Sequence, residues 1–223
     1  MPTILGFIGE AATWLADKGT DQWSKPWPDK RKRDARVRRG IRNRCTWMVE
    51  DDGRPIATIS CRPRGNPNLW TDAESCEPAV YVSRLIVCRD YGGQAIGSEL
   101  FDWAGKWAAA QYGARWVRID VWTTNTMLHE YYEKRGFSFI RECDYVDYPS
   151  AMLFQKPTAG ITDADVPRLA EVPKLTRPKG RRPSLARSAR ERKPVRRLAG
   201  VAALRIAARL LLTDQDGRSS GRP

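Results

Sequence analysis

Between Tyr81 and Phe137 two strand–helix units follow one another without a break, and that order constrains the fold more than any other feature of the chain. The run YVSRLIVCRD is β-rich. A glycine-bearing turn follows (Tyr91-Gly92-Gly93-Gln94-Ala95-Ile96-Gly97), and then SELFDWAGKWAAAQYG, whose apolar residues recur at helical spacing. A second β-rich run, ARWVRIDVW, ends near Asn125, and a short helix carries Tyr131 and Tyr132 to a stop at Gly136-Phe137. Two strands joined through a helix lie parallel in one sheet. Upstream, CTWMVED and RPIATISCRP flank a turn at Asp52-Gly53 and read as an antiparallel hairpin. Downstream, RECDYVDY and SAMLFQKP read as two further strands. The expected architecture is mixed α/β, antiparallel at its start and parallel at its centre.

The N-terminal region supplies helices. Ile4, Leu5, Ile8, Ala11, Ala12 and Leu15 share one helical face, and Gly19 stops it. Residues 30 to 43 are mostly charged, with Val37 and Ile41 the main apolar positions, which fits a solvated helix or a basic loop. Residues 63 to 78 read as a loop that includes Trp70.

The formal charge of +13 is unevenly spread. Residues 158 to 223 hold 16 Lys or Arg against 6 Asp or Glu, whereas residues 1 to 157 hold 23 against 20. The sequence therefore divides into a domain over 1–157 and a basic tail over 158–223. Prolines 167, 173, 178, 183 and 194 punctuate a stretch without aromatic residues, so 158 to 195 is expected to be disordered. Residues 196 to 212 suit an amphipathic helix whose Arg205 and Arg209 bar it from spanning a membrane. The tail's charge fits nonspecific contact with nucleic acid or an acidic surface, but the tail has no aromatic residue for base stacking.

Five cysteines without a CxxC pair and one histidine, His129, offer no zinc-ligand spacing, so no metal is expected. Free thiols, a first segment lacking a basic n-region and the lack of a run of ~20 apolar residues point to a cytoplasmic protein without a transmembrane segment.

A strand that feeds a glycine-bearing turn and then a helix aims backbone amides at one spot, as a phosphate requires. Gly92, Gly93 and small Ala95 permit close approach to the main chain, and Ile96, Gly97 and Ser98 open the helix. The same residues also fit an ordinary turn, since neither GK[ST] nor a full GxGxxG is present.

With these residues in view, the stretch LIVCRDYGGQAIGSELFDWA resembles the acetyl-coenzyme A loop of the GNAT superfamily of N-acetyltransferases. Gln94-Ala95-Ile96-Gly97 matches the end of that loop's pattern. Ala95 stands where the family usually has its first glycine, and Gly92 where it has Arg or Gln. NTMLHEYYEKRGF is similar to the family's second motif, with Asn125, Tyr132, Glu133, Gly136 and Phe137 in place and Leu128 replacing an alanine. The resemblance covers about residues 30 to 157 and not the tail. It implies an acyl-CoA N-acyltransferase fold, a mixed central sheet with splayed parallel strands flanked by helices. It further implies acetyl-CoA as co-substrate and a small-molecule or protein amine as acceptor. By the same resemblance, main-chain groups of Ile86 and Val87 bind the cofactor arm, Asn125 contacts that arm, and Tyr132 is the general acid toward the coenzyme A thiolate. A phenol with a pKa near ~10 suits that role; packing beside Tyr131 is the alternative for Tyr132.

Asp120 is the candidate base. It shares a strand face with Trp116, Arg118 and Trp122, near where ribosomal-protein-type members of the family carry a glutamate. Pairing with Arg118 or Arg84 is the alternative reading. Glu130 is a weaker candidate, and His129 reads as a helix-surface residue. Trp23, Trp27, Trp47 and Trp70, with Glu50, Asp51 and Glu74, form either core or an acceptor wall for a cationic or aromatic amine.

Together these residues describe an acetyl-CoA-dependent N-acetyltransferase that works by direct transfer in a ternary complex, compatible with a homodimer. The rival is a catalytically degenerate acyl-CoA-binding sensor whose basic tail contacts nucleic acid, favoured by the missing basic residue at Gly92.

Overall fold

The computed structural model describes residues 1–145, 147–166 and 206–210, the last as backbone. Two helices open the chain: α1, Pro2–Asp17, and α2, Lys30–Arg42. α1 buries Ile4, Phe7, Ile8 and Leu15, spaced for one face. α2 starts where the Asp29 carboxylate accepts the Lys32 amide at 2.7 Å, and it buries only Val37, Gly40 and Ile41. The charged segment is thus a helix held by a thin stripe. The hairpin β1 (Thr46–Asp51) and β2 (Arg54–Arg62) follows, then a short α3 (Asp72–Cys76) and β3 (Ala79–Val87). α4 (Ile96–Tyr112), β4 (Trp116–Val121), α5 (Thr126–Glu133), β5 (Ser138–Glu142) and β6 (Met152–Pro157) complete the domain.

The sheet order is β5-β6-β4-β3-β2-β1-β7, where β7 is Ile206–Leu210. β3 and β4 form its parallel pair, and every other described pairing is antiparallel. Their pairing runs from Ala79↔Trp116 only to Val82↔Ile119. Beyond it β3 continues to Val87 against β2, and β4 continues to Val121 against β6. The parallel strands therefore diverge at their carboxyl ends. A bulge in β3 accompanies the divergence: Ser60 pairs with Ser83 but Thr58 pairs with Ile86, leaving one extra residue on β3. Arg84 takes a left-handed φ of 50° there.

The two sheet faces are covered differently. Val117, Ile119 and Val121 of β4 join Leu100, Phe101, Trp103 and Ala104 of α4 in the main core, extended by Trp47 edge-on to Trp103 at 5.1 Å. α4 lies close because Gly105 has no Cβ; one would stand 2.8 Å from Val117 Cγ2. On the other face α1 and α2 bury Ile4, Ile8, Val37 and Ile41 with Met48, Ile86 and Cys88.

Four sequence expectations change. RECDYVDY is a strand only to Glu142; residues 143–145 and 147–150 lie outside any strand, with Asp147 at a φ of 58°. The 63–78 loop holds α3, started by a capping box between Thr71 and Glu74, a T-x-x-E signal present in the sequence. Residues 206–210 form a strand rather than part of a helix over 196–212, pairing antiparallel with β1 from Trp47↔Leu210 to Asp51↔Ile206. β1 otherwise offers an unpaired edge, and pairing satisfies its backbone groups. The rest of that helix, and residues 167–195 of the segment expected to be disordered, lie outside the described residues. Residues 158–166, assigned by sequence to the tail, pack on the domain. Thr158 donates to Ala114 O at 2.8 Å, Lys106 pairs with Asp163, and Val166 is buried in the main core. Among the described residues no helix is long and apolar enough to cross a membrane.

Candidate active site

The glycine-bearing turn lies where β3 leaves the sheet. A single 3₁₀ turn, Arg89–Tyr91, is pinned from three directions. The Tyr91 hydroxyl donates to Asp51 at 2.6 Å, Arg54 donates to Asp90 at 2.6 Å, and the Glu10 carboxylate accepts the Arg89 amide at 3.1 Å. Gly93 and Ala95 then take left-handed φ values of 78° and 60°. Glycine adopts this freely, whereas alanine does so at a cost of about 1–2 kcal/mol. Ala95 is the N-cap of α4 and makes no side-chain capping bond. The amides of Ile96, Gly97 and Ser98, which a helix cannot satisfy internally, therefore converge at the mouth of the diverging strands. Gln94 projects from an exposed position within the same turn. The first turn of α4 rests on the end of β3: a Cβ on Gly97 would stand 3.4 Å from Leu85 Cδ2 and 3.9 Å from the Tyr131 hydroxyl.

Gly92 departs from the family pattern, and its neighbourhood explains how. A Cβ at Gly92 would meet Arg89 O at 3.0 Å and Arg89 Nη2 at 3.1 Å. The guanidinium, stacked 3.8 Å over the Trp14 ring, thus occupies the space where a side chain at 92 would begin. Arg89 brings to this loop the positive charge that position 92 lacks.

The carboxyl end of β4 forms the second half of the site. Asp120 points to the face of α1 and α2, opposite Val117, Ile119 and Val121. It accepts the Tyr148 hydroxyl at 2.7 Å. Burial raises its carboxyl above the usual range, and the Tyr148 bond together with Arg62 and Arg84 opposes this. Neither anticipated arginine hydrogen-bonds it. Arg118 is committed to Glu77 at 2.5 Å and to the Tyr81 hydroxyl at 3.1 Å, and Arg84 donates to Ser60 at 3.2 Å.

Tyr132 packs edge-on to Phe101 at 5.5 Å and Phe137 at 5.6 Å. Burial, then the hydroxyl of Tyr131 and the charge of Asp120, raise its phenol above the ordinary value, so it stays protonated at neutral pH. Asn125 is buried as the N-cap of α5. Its Oδ1 accepts the Leu128 amide at 3.1 Å, and its Nδ2 donates to Gln22 at 2.6 Å. The amide that the resemblance assigns to the cofactor arm thus has protein partners at both ends. Ile86 and Val87 sit on the diverging part of β3, with Ile86 buried. His129 is half-buried, a ring nitrogen 2.8 Å from Trp122 O, and Glu130 is exposed beside Lys134.

The loop between α1 and α2 closes over the end of β4. Asp21 accepts from Trp122 Nε1 at 2.9 Å and from the Thr124 hydroxyl at 2.6 Å, which fastens the loop to the end of β4. These bonds, that from Thr124 foremost, hold the Asp21 carboxyl below the usual range. A cavity of about 330 Å³ opens here, lined by Lys18, Asp21, Thr124, Asn125 and Met127. Trp27 stands edge-on to Tyr148 at 4.9 Å and to Tyr145 at 5.9 Å. The sequence-based acceptor wall is otherwise dispersed. Trp47 and Trp70 belong to separate cores, Glu74 pairs with Arg141 at 2.9 Å, and Asp51 holds Tyr91. Tyr148, Gln22, Arg36 and Arg62 escaped the sequence reading, which named Arg84 only as a partner for Asp120. The one signal was the polar pair Ser83-Arg84 interrupting an apolar strand, which marks the bulge.

The divergent parallel pair, the uncapped α4 and the two sequence motifs define an acyltransferase of the GNAT type. The Acetyltransferase (GNAT) family model matches residues 12–137, more than half of the chain, and the chain belongs to that family. The protein is 26% identical over 141 residues to "Uncharacterized N-acetyltransferase YesJ" of Bacillus subtilis (strain 168), covering 62% of this chain and 76% of that one. Its fold is similar to a GNAT-family acetyltransferase from Listeria monocytogenes 4b F2365, with 21% identity, a TM-score of 0.52, and 70% of this chain and 87% of that one covered. A GNAT-family acetyltransferase from Streptococcus agalactiae 2603 is similar in fold at 16% identity and a TM-score of 0.52, covering 70% and 88%. Among the described residues no cluster of three or more His, Cys, Asp or Glu is placed to hold a metal.

Proposed function

We propose that this GNAT-family protein transfers an acetyl group from acetyl-CoA directly to an amine while both substrates are bound. The observation that carries the reading is the uncapped N-terminus of α4 opening, behind Gly93 and Ala95, onto the gap between β3 and β4. The residues present fit the donor. The Ile96, Gly97 and Ser98 amides and Arg89 suit its pyrophosphate, and the main chain of Ile86 and Val87 borders the gap in which its arm would lie. Gly93 leaves open space beside that approach.

Acetyl-CoA supplies the activated acyl group as a thioester. The chain's own groups manage the protons. Asp120, ionised, takes a proton from the amine nitrogen, directly or through one water, as that nitrogen bonds to the acetyl carbon. Tyr132 gives its proton to the sulfur as the carbon–sulfur bond breaks. The two lie within electrostatic reach of each other, since the Asp120 charge contributes to raising the Tyr132 phenol. No cysteine lies in a motif that suggests an acyl-enzyme, which favours direct transfer.

The sensor reading drew its support from the missing basic residue at Gly92, and Arg89 beside that position removes this support. Titration calorimetry with acetyl-CoA, followed by an acetylation assay over a panel of amines, tests the proposal. Binding with turnover is expected. Binding without turnover on any amine points to the sensor, and no binding ends both readings.

A further inference from the structure

Three of the six buried or half-buried arginines among the described residues have a carboxylate partner. Arg118 pairs with Glu77 at 2.5 Å, Arg141 with Glu74 at 2.9 Å, and Arg33 with Asp34 at 2.8 Å. Arg36 on α2, Arg62 at the end of β2 and Arg84 at the bulge of β3 differ. None of the three has an ion pair among the described residues, and each is partly withdrawn from water. Arg62 and Arg36 both lie close enough to act on Arg84. Arg84 is pushed down to about 10, by burial first and then by Arg62 and Arg36, while Arg36 is lowered by burial first and then by Arg39 and Arg62.

Their hydrogen bonds leave charge and donors unspent. Arg84 donates to the Ser60 hydroxyl at 3.2 Å, Arg62 to the Ser83 hydroxyl at 3.3 Å, and Arg36 to the Trp27 carbonyl. Arg62 Nε is buried with no partner. Asp120 is the carboxylate that Arg84 faces, and it is the group assigned to accept the amine proton, so it cannot offset three cations throughout the reaction. Three guanidiniums gathered beside one carboxylate is an arrangement that a protein sustains when an anion completes it.

The position of the cluster says which substrate brings that anion. Arg84 lies against α2, where a Cβ on Gly40 would stand 3.3 Å from its Nη2. That is the face opposite α4 and the donor's phosphate-binding turn. It is the face onto which Asp120 and Tyr148 open, flanked by the rings of Trp27 and Tyr145. We propose that Arg36, Arg62 and Arg84 form an oxyanion-binding subsite for the acceptor, so that the preferred amine carries a carboxylate or phosphate group. This inference rests on the acetyltransferase reading above. The planar guanidiniums clamp the acid group and hold the amine toward Asp120, while their field repels polyamines, whose second ammonium finds no counter-charge.

The test uses the full-length protein and matched acceptors: an α-amino acid, its carboxamide, an aminoalkyl phosphonate and a linear diamine. The carboxylate or the phosphonate is expected to exceed the carboxamide in kcat/KM by about 10- to 100-fold, the scale of one or two charge-assisted hydrogen bonds, and the diamine to be poorest. Whichever of the two acids leads identifies the anion. In Arg62→Gln the preference for acid over carboxamide should fall by a similar factor, through KM, with acetyl-CoA affinity unchanged; Arg84→Lys, which keeps the charge, should fall less. Circular dichroism and acetyl-CoA titration verify that each variant is folded. Equal use of carboxamide and acid by the wild type overturns the proposal, as does a preference for the diamine. Should acetyl-CoA fail to bind or no amine turn over, the acetyltransferase reading falls by itself. The subsite is then read by tryptophan-fluorescence titration with the amino acid and its carboxamide. Tighter binding of the acid that is lost in Arg62→Gln supports it, and identical binding of the two overturns it.

Discussion

The two halves of the site are built from different materials. On the proposed donor side the groups are main-chain amides of one continuous turn, Gly92 to Ser98, and their direction is set by two left-handed residues and a helix start. On the proposed acceptor side they are side chains from six separate segments: Trp27, Arg36, Arg62, Arg84, Asp120 and Tyr148. Backbone sites bind whatever carries a phosphate, so they suit a donor common to a whole family. Side-chain sites assembled across distant segments change one residue at a time, and there acceptor choice is written.

Asp120→Asn gives the sharpest test of this division. Turnover should fall about 10²–10⁴-fold while acetyl-CoA affinity stays within a factor of two, as measured by steady-state kinetics beside calorimetry. A comparable loss of donor affinity would mean that the two halves are not separable. Stability should move the other way. A carboxyl raised by burial holds its proton more tightly in the folded state, so its contribution to stability is present at low pH and is lost as pH rises through its folded pKa. At neutral pH Asp120→Asn should therefore not lower the melting temperature.

The next largest effect is expected from Ala95→Val. A β-branched residue at a φ of 60° should destabilise the turn by about 1–2 kcal/mol beyond alanine, weakening acetyl-CoA binding by roughly tenfold with acceptor KM little changed. In a pH–rate profile the acid limb should stand above the ordinary carboxylate pKa of about 4, because Asp120 must be ionised to act and burial raises it. A limb at or below that value would point to a different base. Arg89→Ala should be mildest: about two- to fivefold weaker acetyl-CoA binding, matching ~0.3–1 kcal/mol for an exposed charge, and less so at high salt. No change would leave the loop to its amides alone.

The same division explains what could be read in advance. The turn, α4 and the Asn125-to-Phe137 motif are local, and their glycines, spacing and stop signals appear within a few residues. The strand around Tyr145 could not be read correctly, because alternation in RECDYVDY mimics a strand while the loop is kept by Trp27, far away in the chain. The packing of residues 158–166 was hidden for the same reason. Their fit depends on Gly105, against which a Cβ would stand 2.9 Å from Ile161 Cδ1.

By itself the sequence determined most of the order of elements, the family and the glycine-bearing turn that opens α4, because periodicity, glycine conformation and helix starts are properties of neighbouring residues. Only the tertiary structure decided that Asp120 faces Tyr148 rather than a paired arginine, that Arg89 stands in for a side chain at 92, and that three arginines meet without a carboxylate of their own. Such meetings depend on which strands adjoin and where a bulge turns Arg84, and long-range packing fixes them.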